Sequence, residues 1–142
     1  MAEPMKYDPV SPYLTVNGAE KAIAFYAKVF GAKETMRMAA DDGKRIMHAS
    51  LAINGGTVML SDHFPEYGGD GAVAPPTLEK MAPVAIALSY TAPADVDATY
   101  KRAIDTGATS LAEPADMFWG ARFAMLVDPF GHRWFLSGPQ QG

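Results

Sequence analysis

Few side chains in this sequence could carry out acid–base or metal chemistry, because the chain has no cysteine and only three histidines. Without thiols, disulfides, thiolate metal sites, iron–sulfur clusters and cysteine nucleophiles are excluded. His63 follows Asp62 and lies close to Glu66, and imidazole and carboxylate groups are ordinary metal ligands. The spacing matches no common metal motif, so a metal site built from His48, His63 and these acidic residues is only an alternative to a site without a metal.

His48 is the histidine best placed to contact a ligand. Residues 45–53 alternate in character, which is typical of a strand with two different faces. One face is apolar, and the other carries Ile46, His48, Ser50 and Ala52. This second face could line a cleft, or His48 could simply have its hydrogen bonds satisfied on a mixed strand face. His132 lies in a predicted turn, where a solvent-facing or backbone-bonded imidazole is expected.

Arg122 follows two aromatic residues, Phe118 and Trp119, at the start of a predicted strand. A guanidinium in this position could bind an anionic ligand while the indole of Trp119 forms an apolar wall. The alternative is a surface ion pair between Arg122 and Asp116 or Glu113. The sequence leaves both interpretations open.

The elements that must position these residues occur twice along the chain. Residues 19–30 and 94–106 each carry the apolar stripe of an amphipathic helix, and each is followed by glycine. A short apolar run precedes each helix and three candidate strands follow it. The predicted strands are 13–16, 33–40, 45–53 and 57–61, then 84–90, 109–113, 121–127 and 133–137. This order predicts an α+β fold of two βαβββ modules.

A single domain is predicted for residues 1–142, with module one at about 9–62 and module two at about 83–138. The connecting loop at about 63–82 contains too many glycine and proline residues for a regular element. Long loops often carry function, so this one is expected to form a lid or an edge of a binding site.

Composition excludes several classes of function. The chain has 142 residues, 49% of them hydrophobic, which is enough to close a core. It carries 12 basic and 16 acidic residues without a basic tract, so a nucleic-acid partner is not expected. No apolar run approaches the roughly 20 residues that cross a bilayer, and the first nine residues are polar. We therefore predict a cytoplasmic protein that does not bind membranes.

Several motifs resemble the vicinal oxygen chelate superfamily, also called the glyoxalase and bleomycin-resistance family, and within it the PhnB-like branch. The resemblance spans nearly the whole chain. Its motifs are Pro12-Tyr13-Leu14, Ala22-Ile23-Ala24-Phe25-Tyr26, Phe30-Gly31-Ala32, Phe118-Trp119-Gly120-Ala121-Arg122 and Asp128-Pro129-Phe130-Gly131-His132-Arg133-Trp134. The resemblance implies two βαβββ modules that form an open, incomplete barrel around a cleft, commonly in a homodimer.

In the metal-dependent members of that superfamily, four His, Glu or Gln ligands come from the first and last strands of each module. Aligned on the shared motifs, these positions are Ser11, Met59, Ala85 and Phe135. None of them is a good ligand for a divalent metal. We therefore predict neither a metal nor any other cofactor, and the resemblance implies that Phe135 faces the cleft.

The predicted function is metal-free binding of a small organic molecule in the barrel cleft. The alternative is a lyase, isomerase or dioxygenase-type enzyme of the same superfamily that uses a non-standard or substrate-borne metal. The candidate ligand-binding residues are Tyr13, His48, Trp119, Arg122 and Phe135. Of these, His48, Trp119 and Arg122 are expected to line one cleft with Phe135 at its floor.

Overall fold

The computed structural model describes residues 8–68 and 73–140. Within these ranges the chain forms eight strands and three helices. Their bounds, in chain order, are β1 Tyr13–Val16, α1 Ala19–Phe30, β2 Lys33–Ala39, β3 Ile46–Ile53, β4 Gly56–Asp62, α2 Pro65–Gly68, β5 Ala85–Ser89, α3 Pro93–Thr106, β6 Thr109–Asp116, β7 Ala121–Val127 and β8 Arg133–Pro139. No helix in these ranges is long and apolar enough to span a membrane.

The strands form two sheets with the same internal order, β1-β4-β3-β2 and β5-β8-β7-β6. In each sheet the first strand pairs in parallel with the last, and the other pairs are antiparallel. No strand ladder joins the two sheets within the described ranges. The predicted α+β fold of two βαβββ modules is confirmed, and its sheets are open rather than closed into a barrel.

One core extends through both modules. Helix α1 ends at Gly31, whose positive φ of 67° is strongly unfavourable for residues with a side chain. The buried stripe of α1 includes Tyr26, which is fully inaccessible to solvent and whose ring packs 5.2 Å from that of Trp134 on β8. Phe30 of α1 packs against the same indole at 4.4 Å. The helix of module one therefore packs on the sheet of module two, and the modules are not independent.

Each sheet has a buried face toward the helices and a second face directed away from them. On β4, for example, Val58 and Leu60 are buried in the core while Met59 and Ser61 between them are only partly buried. We call the second faces the open faces. The open face of module one carries Tyr13, Thr15, Met36, Met38, His48, Ser50, Met59 and Ser61. The open face of module two carries Ala85, Ala87, Phe123, Met125, Arg133, Phe135 and Ser137.

Two elements depart from the sequence-based prediction by more than two residues. The connecting loop at 63–82 contains the single helical turn α2, which begins at Pro65 with Glu66 in its first turn. Proline is pre-organised for the first helical position, and an acidic side chain there interacts favourably with the helix dipole. Strand β6 continues past Glu113 through Pro114 to Asp116. Because β6 is an edge strand, the missing amide hydrogen of Pro114 costs little.

Candidate functional site

Three polar side chains on the open face of module one form a hydrogen-bonded chain. The hydroxyl of Tyr13 lies 2.9 Å from Nδ1 of His48, and Nε2 of His48 lies 3.0 Å from Oγ of Ser50. Tyr13 is 49% exposed, whereas Ser50 is 2% exposed. With Nε2 protonated, His48 donates to Ser50 and accepts from Tyr13, so both ring nitrogens are satisfied. The chain thus runs from the surface into the sheet with the imidazole at its centre.

A cavity of about 380 Å³ lies beside Tyr13. Its floor is the open-face side of β1, at Tyr13 and Thr15, and His132 also borders it. The opposite wall comes from the connecting segment: Val73, Ala74, Pro75, Pro76, Thr77, Lys80, Met81, Ala82 and Pro83. Ligand sites in proteins commonly have volumes of about 300–1,000 Å³ and mainly apolar walls with a few polar groups. This cavity has that size and that composition.

A second cavity of about 300 Å³ shares Tyr13, Thr15 and Val73 with the first. Its far side is formed by Phe64 and Tyr67, whose rings stack 5.9 Å apart. The two cavities are adjacent, because Tyr13, Thr15 and Val73 line both of them. A ligand too large for one cavity can therefore extend over Tyr13 and Thr15 into the other.

Arg45 holds α2 beside the second cavity. Its guanidinium donates to Glu66 at 2.6 Å and to Asp42 at 2.6 Å, and it lies 4.1 Å above the ring centre of Phe64. Hydrogen bonding to Arg45 lowers the pKa of the Glu66 carboxyl. These contacts connect the residue that precedes β3 to the segment that follows β4, so the aromatic wall has a defined position.

The open face of module two carries a separate aromatic cluster. The ring of Trp119 lies 5.6 Å from Phe123, and Phe123 lies 5.4 Å from Phe135. Trp119 is 51% exposed at the β6–β7 turn. Within the described ranges no ring contact or hydrogen bond connects this cluster with His48. The candidate residues therefore form two groups, one on each module.

Arg122 does not lie on the open face, and the prediction that it shares one cleft with His48, Trp119 and Phe135 is wrong. On β7 it alternates with Phe123, so its side chain is directed toward α3. There it donates to Asp97 at 2.8 Å and to Asp116 at 3.3 Å. These hydrogen bonds, the one to Asp97 first, raise the pKa of Arg122. The surface ion pair, which was the alternative interpretation, is what the structure contains.

Arg133 is a residue that the sequence analysis missed. It precedes Phe135 by two positions on β8 and so lies on the same open face. Its Nε atom is buried and has no hydrogen-bond partner among the described residues. The alternation of β8 was the available signal, because a strand that directs Phe135 to the open face directs Arg133 there as well. Ser50 was placed on the correct face but was not recognised as a partner of His48.

The alternative metal site near His63 does not form in the described part of the chain. The Asp62 carboxylate accepts the backbone amides of Gly18 and Ala19 at 3.1 and 2.8 Å, and so caps the start of α1. Glu66 pairs with Arg45 instead. No group of three or more potential ligand side chains comes together within the described ranges. His132 bonds to the backbone, with Nε2 lying 2.9 Å from a main-chain carbonyl oxygen of β1.

Comparison with known proteins assigns the chain to a family. The model of the glyoxalase/bleomycin resistance protein/dioxygenase superfamily matches residues 6–136. The chain belongs to this superfamily. An uncharacterized protein of Mycobacterium bovis is 45% identical over 130 residues, which are 92% of this chain and 82% of that protein. The crystal structure of protein PA1353 from Pseudomonas aeruginosa has a TM-score of 0.71 and 25% identity, and the match covers 93% of this chain and 98% of that one.

Two more distant structures have the same fold. A Bacillus cereus protein described as PhnB and as a putative 3-demethylubiquinone-9 3-methyltransferase has a TM-score of 0.69 at 17% identity, covering 92% of this chain and 99% of its own. The fosfomycin resistance protein FosX of Listeria monocytogenes, solved with Mn(II) and sulfate, has a TM-score of 0.67 at 16% identity. The match covers 99% of this chain and 93% of that one. At these identities the likeness concerns the fold alone.

The residues at the superfamily's metal positions do not fit a divalent ion in this chain. The aligned positions hold Ser11, Met59, Ala85 and Phe135. In the observed register Met59 pairs with Tyr13, and Phe135 pairs with Ala87 rather than Ala85. The first-strand position is therefore Ser11 or Tyr13 in module one and Ala85 or Ala87 in module two. None of these residues carries an imidazole or a carboxylate, the groups that bind divalent ions well.

Proposed function

We propose that this superfamily member, of the PhnB-like branch, binds a small organic molecule without a resident metal in the cavity beside Tyr13. The observation that carries the proposal is the combination of a mainly apolar cavity of about 380 Å³ with a hydrogen-bonded Tyr13–His48 pair at its floor. Such a site offers apolar contact area and a small number of fixed polar groups, which is the usual composition of a ligand site. The PhnB-like assignment rests on the sequence motifs, and the fold is one that the PhnB protein shares with other structures.

The lining of the cavity indicates the kind of ligand. Pro75, Pro76 and Met81 present apolar surface, and methionine adapts its shape to what it contacts. Lys80 is the one charged side chain among the lining residues, all of which lie in described ranges. We infer a ligand with an apolar or aromatic body and a polar group that can accept a hydrogen bond or carry negative charge.

We also propose that the protein is a homodimer. Phe118 and Trp119, at the β6–β7 turn, are 96% and 51% exposed, and exposed neighbouring aromatics favour contact with a second molecule. Light scattering on the eluting protein tests this, with Phe118→Ser as the variant and exposed Tyr67→Ser as its control. Dimers lost only in the Phe118 variant would support the proposal, and a wild-type monomer at micromolar concentration would refute it.

The binding proposal can be tested with a panel of aromatic carboxylates and neutral aromatic fragments, measured by thermal shift and then by calorimetry. Thr15→Trp would fill the floor of both cavities, since Thr15 lines each of them. Thr109→Trp is the matched control on the exposed edge strand β6. Binding in wild type and in the Thr109 variant, but not in the Thr15 variant, would support the site. Equal binding in all three proteins would show that the ligand lies elsewhere.

A further inference from the structure

We propose that Tyr13, His48 and Ser50 form a metal-independent acid–base site that moves a proton to and from a carbon atom of the molecule bound beside them. This inference rests on the proposed ligand site and adds an activity to it. The substrate class is a small, largely apolar molecule whose C–H bond is acidified by a neighbouring carbonyl group.

The geometry supports a directional proton path. Tyr13 lines both cavities and is half exposed, so its hydroxyl can contact a bound molecule. His48 lies behind it at 2.9 Å, and the nearly inaccessible Ser50 holds the far ring nitrogen at 3.0 Å. A reacting hydroxyl, a base within hydrogen-bond reach and a third group that orients the base form the arrangement that activates side chains in enzymes.

The surroundings of the cavity favour the anion that proton removal produces. The lining of the first cavity contains Lys80 and, in the described ranges, no carboxylate. The second cavity is bordered by Asp62, whose carboxylate accepts the backbone amides of Gly18, Ala19 and Ile46.

Strand β3 is flanked by β2 and β4, and the open-face side chains nearest His48 on these strands are Met38 of β2 and Met59 and Ser61 of β4. Beyond β4, the ring of Tyr13 on β1 lies 5.5 Å from that of His48, and none of these side chains is acidic. Negative charge that develops on a substrate in the first cavity would therefore meet one cation in the lining and no opposing carboxylate.

The proposed step balances without another reactant. The Tyr13 oxygen takes the proton from the substrate carbon while its own proton passes to Nδ1 of His48. The electron pair of the broken C–H bond stays on the substrate as an enolate, and His48 becomes an imidazolium that still donates to Ser50. Return of the proton to another atom of the enolate restores the neutral site and completes a tautomerisation, whereas return to the same face of the same carbon regenerates the substrate with its hydrogen exchanged.

A reporter reaction tests this proton transfer with the full-length protein and a defined probe. In 5-nitrobenzisoxazole a base removes the C–H proton, its electron pair forms a nitrile, the N–O bond breaks, and a coloured nitrophenolate is released. His48→Gln should lower kcat about 100-fold or more, in the range of general acid–base contributions. His63→Gln is the matched control, because His63 lies outside both cavities.

Kinetics and NMR spectra of the Ser50 and Tyr13 variants distinguish a role in proton transfer from a role in stabilising the fold. Ser50→Ala should lower kcat with little change in KM, and Tyr13→Phe should do the same. Long-range proton–nitrogen NMR spectra should show His48 protonated on Nε2 in wild type and a mixture of tautomers in the Ser50 variant. A His48 ring fixed as the Nδ1–H tautomer would overturn the proposal.

The unreactive analogue 5-nitrobenzotriazole distinguishes failure of this inference from failure of the proposed function. If the analogue binds and Thr15→Trp abolishes the binding, yet the reactive probe is not turned over, the acid–base site is refuted and the ligand site stands. If the analogue does not bind, the ligand site and the acid–base site are both refuted for this class of molecule. Equal rates in wild type and His48→Gln would also overturn the acid–base site.

Discussion

Asp128 connects the two modules through a hydrogen-bond network whose strength can be measured. It has no solvent exposure and accepts hydrogen bonds from the Tyr26 hydroxyl at 2.6 Å and the Trp134 indole at 2.8 Å, both on Oδ2. Its Oδ1 accepts the backbone amides of Phe130 and His132 at 2.9 and 3.0 Å. Tyr26 belongs to α1 of module one, whereas the other donors belong to module two. Removing its hydroxyl therefore tests the coupling between modules.

Tyr26→Phe removes one hydrogen bond to a buried carboxylate and leaves three. The expected loss is about 1.5–3 kcal/mol in the free energy of unfolding. At about 4 °C per kcal/mol for a domain of this length, the thermal midpoint of unfolding should fall by about 6–12 °C. Asp128→Asn should cost more, about 3–5 kcal/mol, because its amide nitrogen must face at least one N–H donor. The buried indole of Trp134 lets fluorescence follow both variants during urea unfolding.

Tyr100→Phe is the matched control for this prediction, because the Tyr100 hydroxyl donates to neutral Ser110 at the surface, at 2.6 Å. Its cost should be at most about 1 kcal/mol. If Tyr26→Phe costs no more than Tyr100→Phe, or if Asp128→Asn is as stable as wild type, the buried network does not contribute what the distances suggest. The account of how the modules are joined would then be wrong.

Three further changes test the fold around the site. Burial, and secondarily the Asp128 carboxylate, raise the pKa of Tyr26, so the folded protein keeps a proton that the unfolded chain releases above about pH 10. Urea titrations should therefore show stability falling by about 1.4 kcal/mol per pH unit above that pH, with a smaller slope in Tyr26→Phe. Gly131→Ala should lower the free energy of unfolding by about 1–3 kcal/mol in the same titration, because φ is 89° and the new Cβ would lie 2.9 Å from the backbone of the connecting segment. Gly43→Ala, where φ is 69° and the space is open, measures the cost of the backbone strain alone. Asp62→Ala should lower the thermal midpoint by the equivalent of about 2–3 kcal/mol, and an unchanged midpoint would contradict its capping role at α1.

Much of the fold could be predicted from the sequence because its signals are local. The stripe at 19–30 and the glycine after it define α1 without reference to the rest of the chain. The alternation at 45–53 placed His48 and Ser50 on the face opposite the buried Ala49 and Leu51, as the structure has them. Repetition of the pattern in the second half then predicted the second module, and the two sheets have the same strand order.

The site was less predictable because it depends on contacts between distant parts of the chain. The partner of Arg122 is Asp97, which lies on a helix, and only the packing of α3 on β7 brings the two together. Tyr13 and His48 are 35 residues apart in sequence, and in the sheet β4 lies between their strands. Their hydrogen bond can be foreseen only once the position of β4 is known. The cavity wall comes from a proline-rich segment whose length favoured a lid or an edge of a binding site, but which has no periodicity to indicate that it covers β1.

Methionine methyl NMR gives the most direct test of the ligand site. With ¹³C-methyl methionine, Met59 reports on the open face and Met81 on the cavity wall, while Met47 reports on the opposite face of β3. On titration with the fragment that gives the largest thermal shift, the account predicts saturable shifts at Met59 and Met81 with one common dissociation constant, and none at Met47. Saturable shifts at Met47 without shifts at the other two, or no saturable shift for any member of the panel, would contradict it.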